Sequence, residues 1–226
     1  MNTKNVYIGR HGQSRANASG VREGSDSPLT ERGILQAEFS ALRLRGKGIK
    51  RIIASDYARA IATAEVHSMH LGLPLSHTTP LFAERRNPSV MLGKHVGDPE
   101  VERMWDEIAR HYDVPDWRHS DEENFADLVD RAKAALTFLE GIPEDTIYVA
   151  SHGMFMKVIL AHVQLGEHLN GRIFWDRYVP IKNVDNTGLM HLQFTPNYRR
   201  TGMYWKLVSW NDRAHLEAFA PHQTNE

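Results

Sequence analysis

The sequence predicts an α/β fold: a three-layer sandwich with a mostly parallel central sheet, helices on both faces and a cap insertion at about 85–120. Two observations predict it. Three short, β-branched apolar runs are each followed downstream by a helical pattern, and that alternation is how a parallel sheet is written into a chain. Two stretches of alternating polarity near the C-terminus, GLMHLQF and MYWKLVSW, read as strands that pair near a sheet edge. No internal repeat, low-complexity tract or linker divides the chain, so residues 1–226 are expected to form one domain carrying the insertion.

Taken in order, residues 5–9 (NVYIG) form a buried strand ending at Arg10-His11-Gly12. Polar, glycine-rich sequence then runs as loop to about residue 28. Thr30 stands before ERGILQAEFSALRLR as the N-cap of a helix that Gly46 and Gly48 close. Residues 50–54 (KRIIA) give a second strand, which ends at Ser55-Asp56; a helix follows from about Tyr57 to Leu71, stopped by Gly72 and Pro74. Residues 85–120 differ. Pro88, Gly93, Gly97, Pro99 and Pro115 break them up, leaving one amphipathic stretch, PEVERMWDEIARHY, and they read as an insertion covering something. Residues 122–140 form an amphipathic helix with Phe125, Leu128, Val129, Ala132, Ala135, Leu136 and Leu139 on one face. Residues 146–150 (TIYVA) are a third buried strand, ending at Ser151-His152-Gly153 before an apolar helix (MFMKVILAHV). A turn, PNYRRTG, joins the two late strands, and the tail from about Asn211 is expected to be peripheral.

Composition excludes several function classes. Lys and Arg number 27 against 28 Asp and Glu, a net charge of −1, so bulk positive charge holds neither nucleic acid nor an anionic membrane. With no cysteine there is no disulfide framework, no thiolate zinc site and no thiol nucleophile. No run of about 18 apolar residues could span a bilayer. The N-terminal MNTKNVYIGRHG lacks the apolar core of a signal peptide, so the expectation is a soluble cytoplasmic protein.

The three strands end in Arg10-His11-Gly12, in Ser55-Asp56 with Arg59 one helical turn on, and in Ser151-His152-Gly153. Carboxyl ends of parallel strands share one edge, where ligand crevices lie, so two His and two Arg should converge there. Two guanidinium forks match a tetrahedral oxyanion. Their charge favours neutral imidazoles, and a neutral imidazole is a good nucleophile at phosphorus. The glycine after each His is expected to let the backbone approach the anion. Nothing in this set requires a metal or a cofactor.

These residues resemble a known family. RHGQSRAN at residues 10–17 resembles the R-H-G-x-[ST]-x-x-N signature of the histidine phosphatase superfamily, the phosphoglycerate-mutase-like enzymes. In the same order, Asp26 with Pro28-Leu29-Thr30, Gly33 and Gln36-Ala37 resembles D-x-P-L-T-x-x-G-x-x-Q-A. Ser55-Asp56-Tyr57-Ala58-Arg59-Ala60 with Thr63-Ala64-Glu65 resembles S-D-L-x-R-A-x-x-T-A-E. Glu84 in PLFAER falls where the family carries its proton donor, Ser151-His152-Gly153 matches the second-histidine motif, and Asn186-Thr187-Gly188 the late N-x-[GS] turn. The resemblance implies that His11 is the nucleophile and becomes phosphohistidine. It implies that Arg10, Arg59 and His152 bind the phosphoryl group, that Asn17 donates to a phosphate oxygen, and that Glu84 protonates the leaving oxygen and then activates water. Ser14 is a further substrate-binding candidate, with capping of the loop as its other reading.

The activity so implied is metal-independent phosphomonoester hydrolysis of a small phosphorylated metabolite, with inorganic phosphate as product, no nucleic-acid or membrane partner, and an oligomer left open. The alternatives are a 2,3-bisphosphoglycerate-dependent mutase and a non-catalytic relative that binds a phospho-ligand. The mutases follow their Glu with a stretch like E-R-H-Y-G, and here Glu84-Arg85-Arg86-Asn87-Pro88 keeps only the Arg; Ala16 stands where their first motif has Trp. Arg85 or Arg86 is a candidate reader of a second anionic group on the substrate, against a surface ion pair. His67 and His70, one helical turn apart, read as a surface pair and not a zinc site. The tryptophans read as packing residues, with Trp117 and Trp175 as candidates for the pocket mouth.

Overall fold

The computed structural model describes residues 3–181, 183–197 and 201–219. Its centre is a six-stranded sheet of β1 (Lys4–Arg10), β2 (Arg51–Ser55), β3 (Leu75–Thr79), β4 (Thr146–Ser151), β5 (Leu189–Pro196) and β6 (Met203–Asp212), in the order β3-β2-β4-β1-β5-β6. The four strands β3, β2, β4 and β1 are parallel; β5 runs antiparallel to β1, and β6 antiparallel to β5. Arg10 pairs in register with Ser151, and Ala54 with Ala150, so β1, β2 and β4 end level with one another. That register brings the three polar strand ends to one edge.

The period-2 alternation of strand residues divides the apolar core between two faces. In β4, Ile147 and Val149 join Leu128, Leu136 and Phe155 of α5 (Phe125–Gly141) and α6 (Gly153–Leu165). Tyr148 and Ala150 face the other way, toward Leu44 of α2 (Glu31–Leu44) and Ala60 and Ala64 of α3 (Ala58–Leu71). Helices therefore cover both faces, and the expected three layers are present.

The helix boundaries follow the local chemistry. Thr30 caps α2 by accepting from the Gly33 amide. The left-handed Gly72, at φ 66°, closes α3. Asn124 and Asp127 form a reciprocal capping box at the start of α5. Three elements were not foreseen. The loop after His11 contains a short helix α1 (Arg15–Ser19), and a further helix, α7 (Gly171–Arg177), follows α6. Strand β3 (LSHTT) lies at the sheet edge with three of its five residues exposed, so no apolar periodicity marks it.

Within 85–120, α4 (Pro99–Arg110) starts on an Asp98 cap and buries Val101 and Ile108. The segment before α4 is joined to the loop after α1 by main-chain hydrogen bonds: the Arg22 amide donates to the Lys94 carbonyl (2.9 Å), Gly93 to Arg22 (2.9 Å) and Val96 to Gly20 (2.8 Å). The tail is less peripheral than expected. Strand β6 runs to Asp212, Asn211 accepts from the Asp185 amide (3.0 Å), and buried His215 meets the Thr187 hydroxyl (3.0 Å). These contacts brace the turn at 185–188. Residues 198–200 of the PNYRRTG turn and the chain end from 220 lie outside the described residues. Among the described residues, no helix is long and apolar enough to cross a membrane.

Candidate active site

His11 lies just beyond the end of β1, its amide donating to the Ser151 carbonyl at the end of β4. Its Nδ1 is 2.7 Å from the Gly12 carbonyl, and Arg59 Nε donates to its Nε2 at 3.2 Å. A carbonyl can only accept and a guanidinium can only donate, so Nδ1 carries the proton and Nε2 the lone pair. Burial holds His11 well below the usual imidazole range, and the charges of Arg10 and Arg59 add to the shift. The nitrogen beside Arg59 therefore carries a free lone pair between two guanidinium groups.

The donors around it are fixed from several elements. Arg10 donates to the Val184 carbonyl (2.6 Å) and to Asn17 Oδ1 (3.3 Å). Arg59, in the first turn of α3 and 2% exposed, donates to the Gly24 carbonyl (2.7 Å). Thr63, one turn on, donates to the Arg59 carbonyl and accepts the Gly12 amide at 3.0 Å, tying the His11 loop to α3. Asn186 Nδ2 bonds both the His11 carbonyl and Asn17 Oδ1.

His152, at the end of β4, is wholly buried with its ring centroid 5.1 Å from that of His11. Burial and then His11, Arg59 and Arg10 hold it well below the usual range, so it is neutral. Glu84 accepts from the amides of Met154 (3.2 Å), Phe155 (3.0 Å) and Arg85 (2.9 Å). Its carboxyl group thus sits on the open N-terminus of α6, where it gives free amides their acceptors.

Arg10, His11, Asn17, Arg59 and Glu84 all line one cavity of about 730 Å³. Residues 85–87, 89, 92 and 96 line it too, as does Asp121 just past the insertion. Arg85 forms no surface ion pair. It is 4% exposed, with all three guanidinium nitrogens buried and without a hydrogen-bond partner, and its Cζ lies 4.2 Å from the Trp105 ring and 5.7 Å from that of Tyr112. Arg22 stacks on the same indole at 5.3 Å, and its Nε is also buried without a partner.

Several expectations are corrected. Ser14 and His152 are both fully buried and neither lines the cavity; Ser14 caps α1 through the Asn17 amide (3.1 Å) and donates to Glu23 (2.6 Å), whereas the His152 ring packs against that of His11, which does line it. Gly12 serves packing against a protein group, since a Cβ there would collide with the Gly33 carbonyl, whereas Gly153 lines the cavity and a Cβ on it would meet Arg10 Cδ only at an ordinary 3.6 Å. His67 is no surface residue: it is wholly buried, bonded to Thr63 and Ser40, and stacked on Tyr148 at 4.1 Å, and burial lowers its pKa to about 4. Trp117 stacks on His111 and Trp175 packs on Tyr112, and neither lines the cavity.

Sequence reasoning missed Arg22, Glu23 and Tyr57. Glu23 accepts from Asn17 Nδ2 (2.8 Å) and lies 3.4 Å from Arg59 Nε. Tyr57 sets its ring edge-on to His152 and under the Arg59 guanidinium, 4.9 Å from Cζ. Arg22 and Glu23 belong to an irregular loop with no period to read; Tyr57 was signalled only by standing where the family pattern has Leu.

Probable phosphoglycerate mutase GpmB of Yersinia pestis (strain Pestoides F) is 30% identical over 218 residues, 94% of each chain. A putative alpha-ribazole-5'-P phosphatase from Escherichia coli K-12 superposes with a TM-score of 0.74 at 23% identity, covering 94% of this chain and 98% of that one. A mycobacterial glucosyl-3-phosphoglycerate phosphatase gives 0.73 at 20%, covering 93% and 99%. These two structures share the fold. The family profile for the histidine phosphatase superfamily (branch 1) matches residues 6–213, nearly the whole chain and every strand end that builds the cavity, and to that superfamily the chain belongs.

Proposed function

We propose that the chain is a cytoplasmic, metal-independent phosphomonoesterase that acts through a phosphohistidine on His11 and releases inorganic phosphate from a small phosphorylated metabolite. The observation that carries this reading is the lone pair of His11 Nε2, held unprotonated by the Nδ1–Gly12 bond at the edge of a cationic cavity. In the first step Nε2 attacks phosphorus and the P–O ester bond breaks. Its electron pair leaves on the ester oxygen, which takes a proton from Glu84. In the second step Glu84 accepts a proton from water as the water oxygen attacks, the P–N bond breaks and phosphate departs. Arg10, Arg59, Asn17 and His152 stabilise the transferring group, so guanidinium charge does what a divalent ion would otherwise do. Ser14 acts through Asn17 and Glu23.

The substrate carries a second anionic group in this reading. Arg85 and Arg22 share one indole with no carboxylate on the buried nitrogens, and an anion in the cavity would supply the missing acceptors. Likeness to a probable phosphoglycerate mutase supports the mutase as the second reading, against which stand Arg86, Asn87 and Ala16.

Rapid quench with labelled substrate tests the proposal. We expect acid-labile, base-stable label on the protein, absent from His11→Ala, and with 3-phosphoglycerate and the bisphosphate primer we expect free phosphate to appear faster than 2-phosphoglycerate. Acid-stable label would mean another nucleophile, faster isomerisation would mean a mutase, and bound phosphate without turnover would mean a binding protein.

A further inference from the structure

The second histidine has a proton to place. His152 is neutral and wholly buried, so one ring nitrogen carries a hydrogen and the other a lone pair. Nε2 lies 2.9 Å from the Ser55 hydroxyl, while Nδ1 is buried with no partner at all. Ser55, the last residue of β2, is itself fully buried. Its oxygen already accepts the Tyr57 amide at 3.2 Å, and it has one proton to give. Two receivers compete for that proton: His152 Nε2 at 2.9 Å and Asp56 Oδ1 at 3.4 Å. Asp56 is exposed, so water serves its carboxylate; the buried imidazole nitrogen has no such recourse.

We propose that Ser55 is a positioning residue that donates to His152 Nε2 and thereby keeps the ring hydrogen on Nδ1, as a donor held for the phosphoryl oxygens on His11. This rests on the phosphoryl-transfer reading above. The opposite arrangement sends Nε2–H to Ser55 and the Ser55 proton to Asp56, leaving a bare lone pair on Nδ1. A lone pair repels an oxyanion where a hydrogen would bind it, so the arrangement of one hydroxyl decides whether His152 helps or opposes the reaction.

The test reads the hydrogen directly. Long-range proton–nitrogen spectra of the ring-labelled, substrate-free protein distinguish Nδ1–H from Nε2–H, with the His152 signals identified by their loss in His152→Asn. We expect the Nδ1–H form in the unaltered protein and a mixture in Ser55→Ala. Vanadate binding should weaken by the reciprocal of the Nδ1–H share that remains, about tenfold where a tenth of the molecules keep it, with Ser55→Thr restoring it to within about threefold. Nε2–H in the unaltered protein, or an unchanged His152 signal in Ser55→Ala, overturns the proposal. If Ser55→Ala does not fold, the spectrum of the unaltered protein decides alone. Turnover of nitrophenyl phosphate by the unaltered protein judges the phosphatase reading separately, since the hydrogen is located without substrate.

Discussion

Glu84 holds two positions at once: it lines the cavity, and it closes the N-terminus of α6 with both carboxylate oxygens accepting amides. In Glu84→Gln one of those oxygens becomes an NH₂ facing an N–H, which strands a donor and costs about 1–3 kcal/mol of stability. Loss of activity alone would therefore say little. The leaving group separates the two roles. Nitrophenolate departs without a proton and an alkoxide does not, and general acid catalysis is typically worth about 10²–10⁴-fold. Glu84→Gln should lower single-turnover phosphorylation by an alkyl phosphate far more than by nitrophenyl phosphate. Equal losses would leave Glu84 only its capping role. Arg85 gives a second contrast. Hydrogen bonds to charged groups contribute about 1.5–3 kcal/mol, so Arg85→Met should raise KM for a phosphoglycerate roughly tenfold or more while nitrophenyl phosphate stays within about twofold. A uniform rise would mean that Arg85 shapes the whole cavity.

Between elements, the tightest join is where the His11 loop meets the first turn of α2. A Cβ on Gly33 would strike the Gln13 carbonyl, and one on Gly12 would strike the Gly33 carbonyl, so the two backbones touch with no room for a methyl group. Overpacking typically costs about 1–3 kcal/mol, and here backbone must move to relieve it. Gly33→Ala should lower the melting temperature and, by displacing the loop, reduce kcat by about tenfold or more; wild-type kinetics in a stable variant would show that the loop absorbs the shift. Gly33 was visible in the sequence as part of the family pattern, but its partner was not, because contact with Gln13 is a property of the fold. The same division runs through the molecule. Strands β2 and β4 could be read because burial on both faces makes them largely apolar, and β1 because Val6 and Ile8 are buried around Tyr7; their polar ends announced the site. Strand β3 could not, lying half-exposed at an edge. Glu23 and Arg22 belong to loops without period, and Arg85 has meaning only beside Trp105, which the chain reaches one helix later.

Across the whole molecule, the buried histidines set a pH dependence. His11, His67 and His152 are held neutral, each depressed chiefly by burial, whereas an unfolded histidine titrates near pH 6.5. Below that pH the unfolded chain takes up protons that the native state refuses, so stability rises with pH and falls as pH is lowered. Each group contributes about 1.4 kcal/mol per pH unit until its native pKa is reached, which for His67 is about 4. Urea unfolding of the ligand-free protein should show up to about 4 kcal/mol less stability at pH 5.5 than at pH 7.5; equal values would mean that these histidines protonate in the native state as readily as when unfolded. The main-chain seam between residues 20–22 and 93–96 has another kind of consequence. Amides and carbonyls are common to every residue type, so the seam does not depend on the side chains that flank it. Leu92, Val96 and Ser89 face the cavity and can be exchanged by mutation while the seam, and with it the alignment of the loop that carries Glu23, is preserved. The exceptions are set by the same bonds: proline is barred at 22, 93 and 96, where an amide donates, and Gly93, at φ 79°, resists replacement. A lineage built this way can change what it accepts, one wall residue at a time, without disturbing the groups that react.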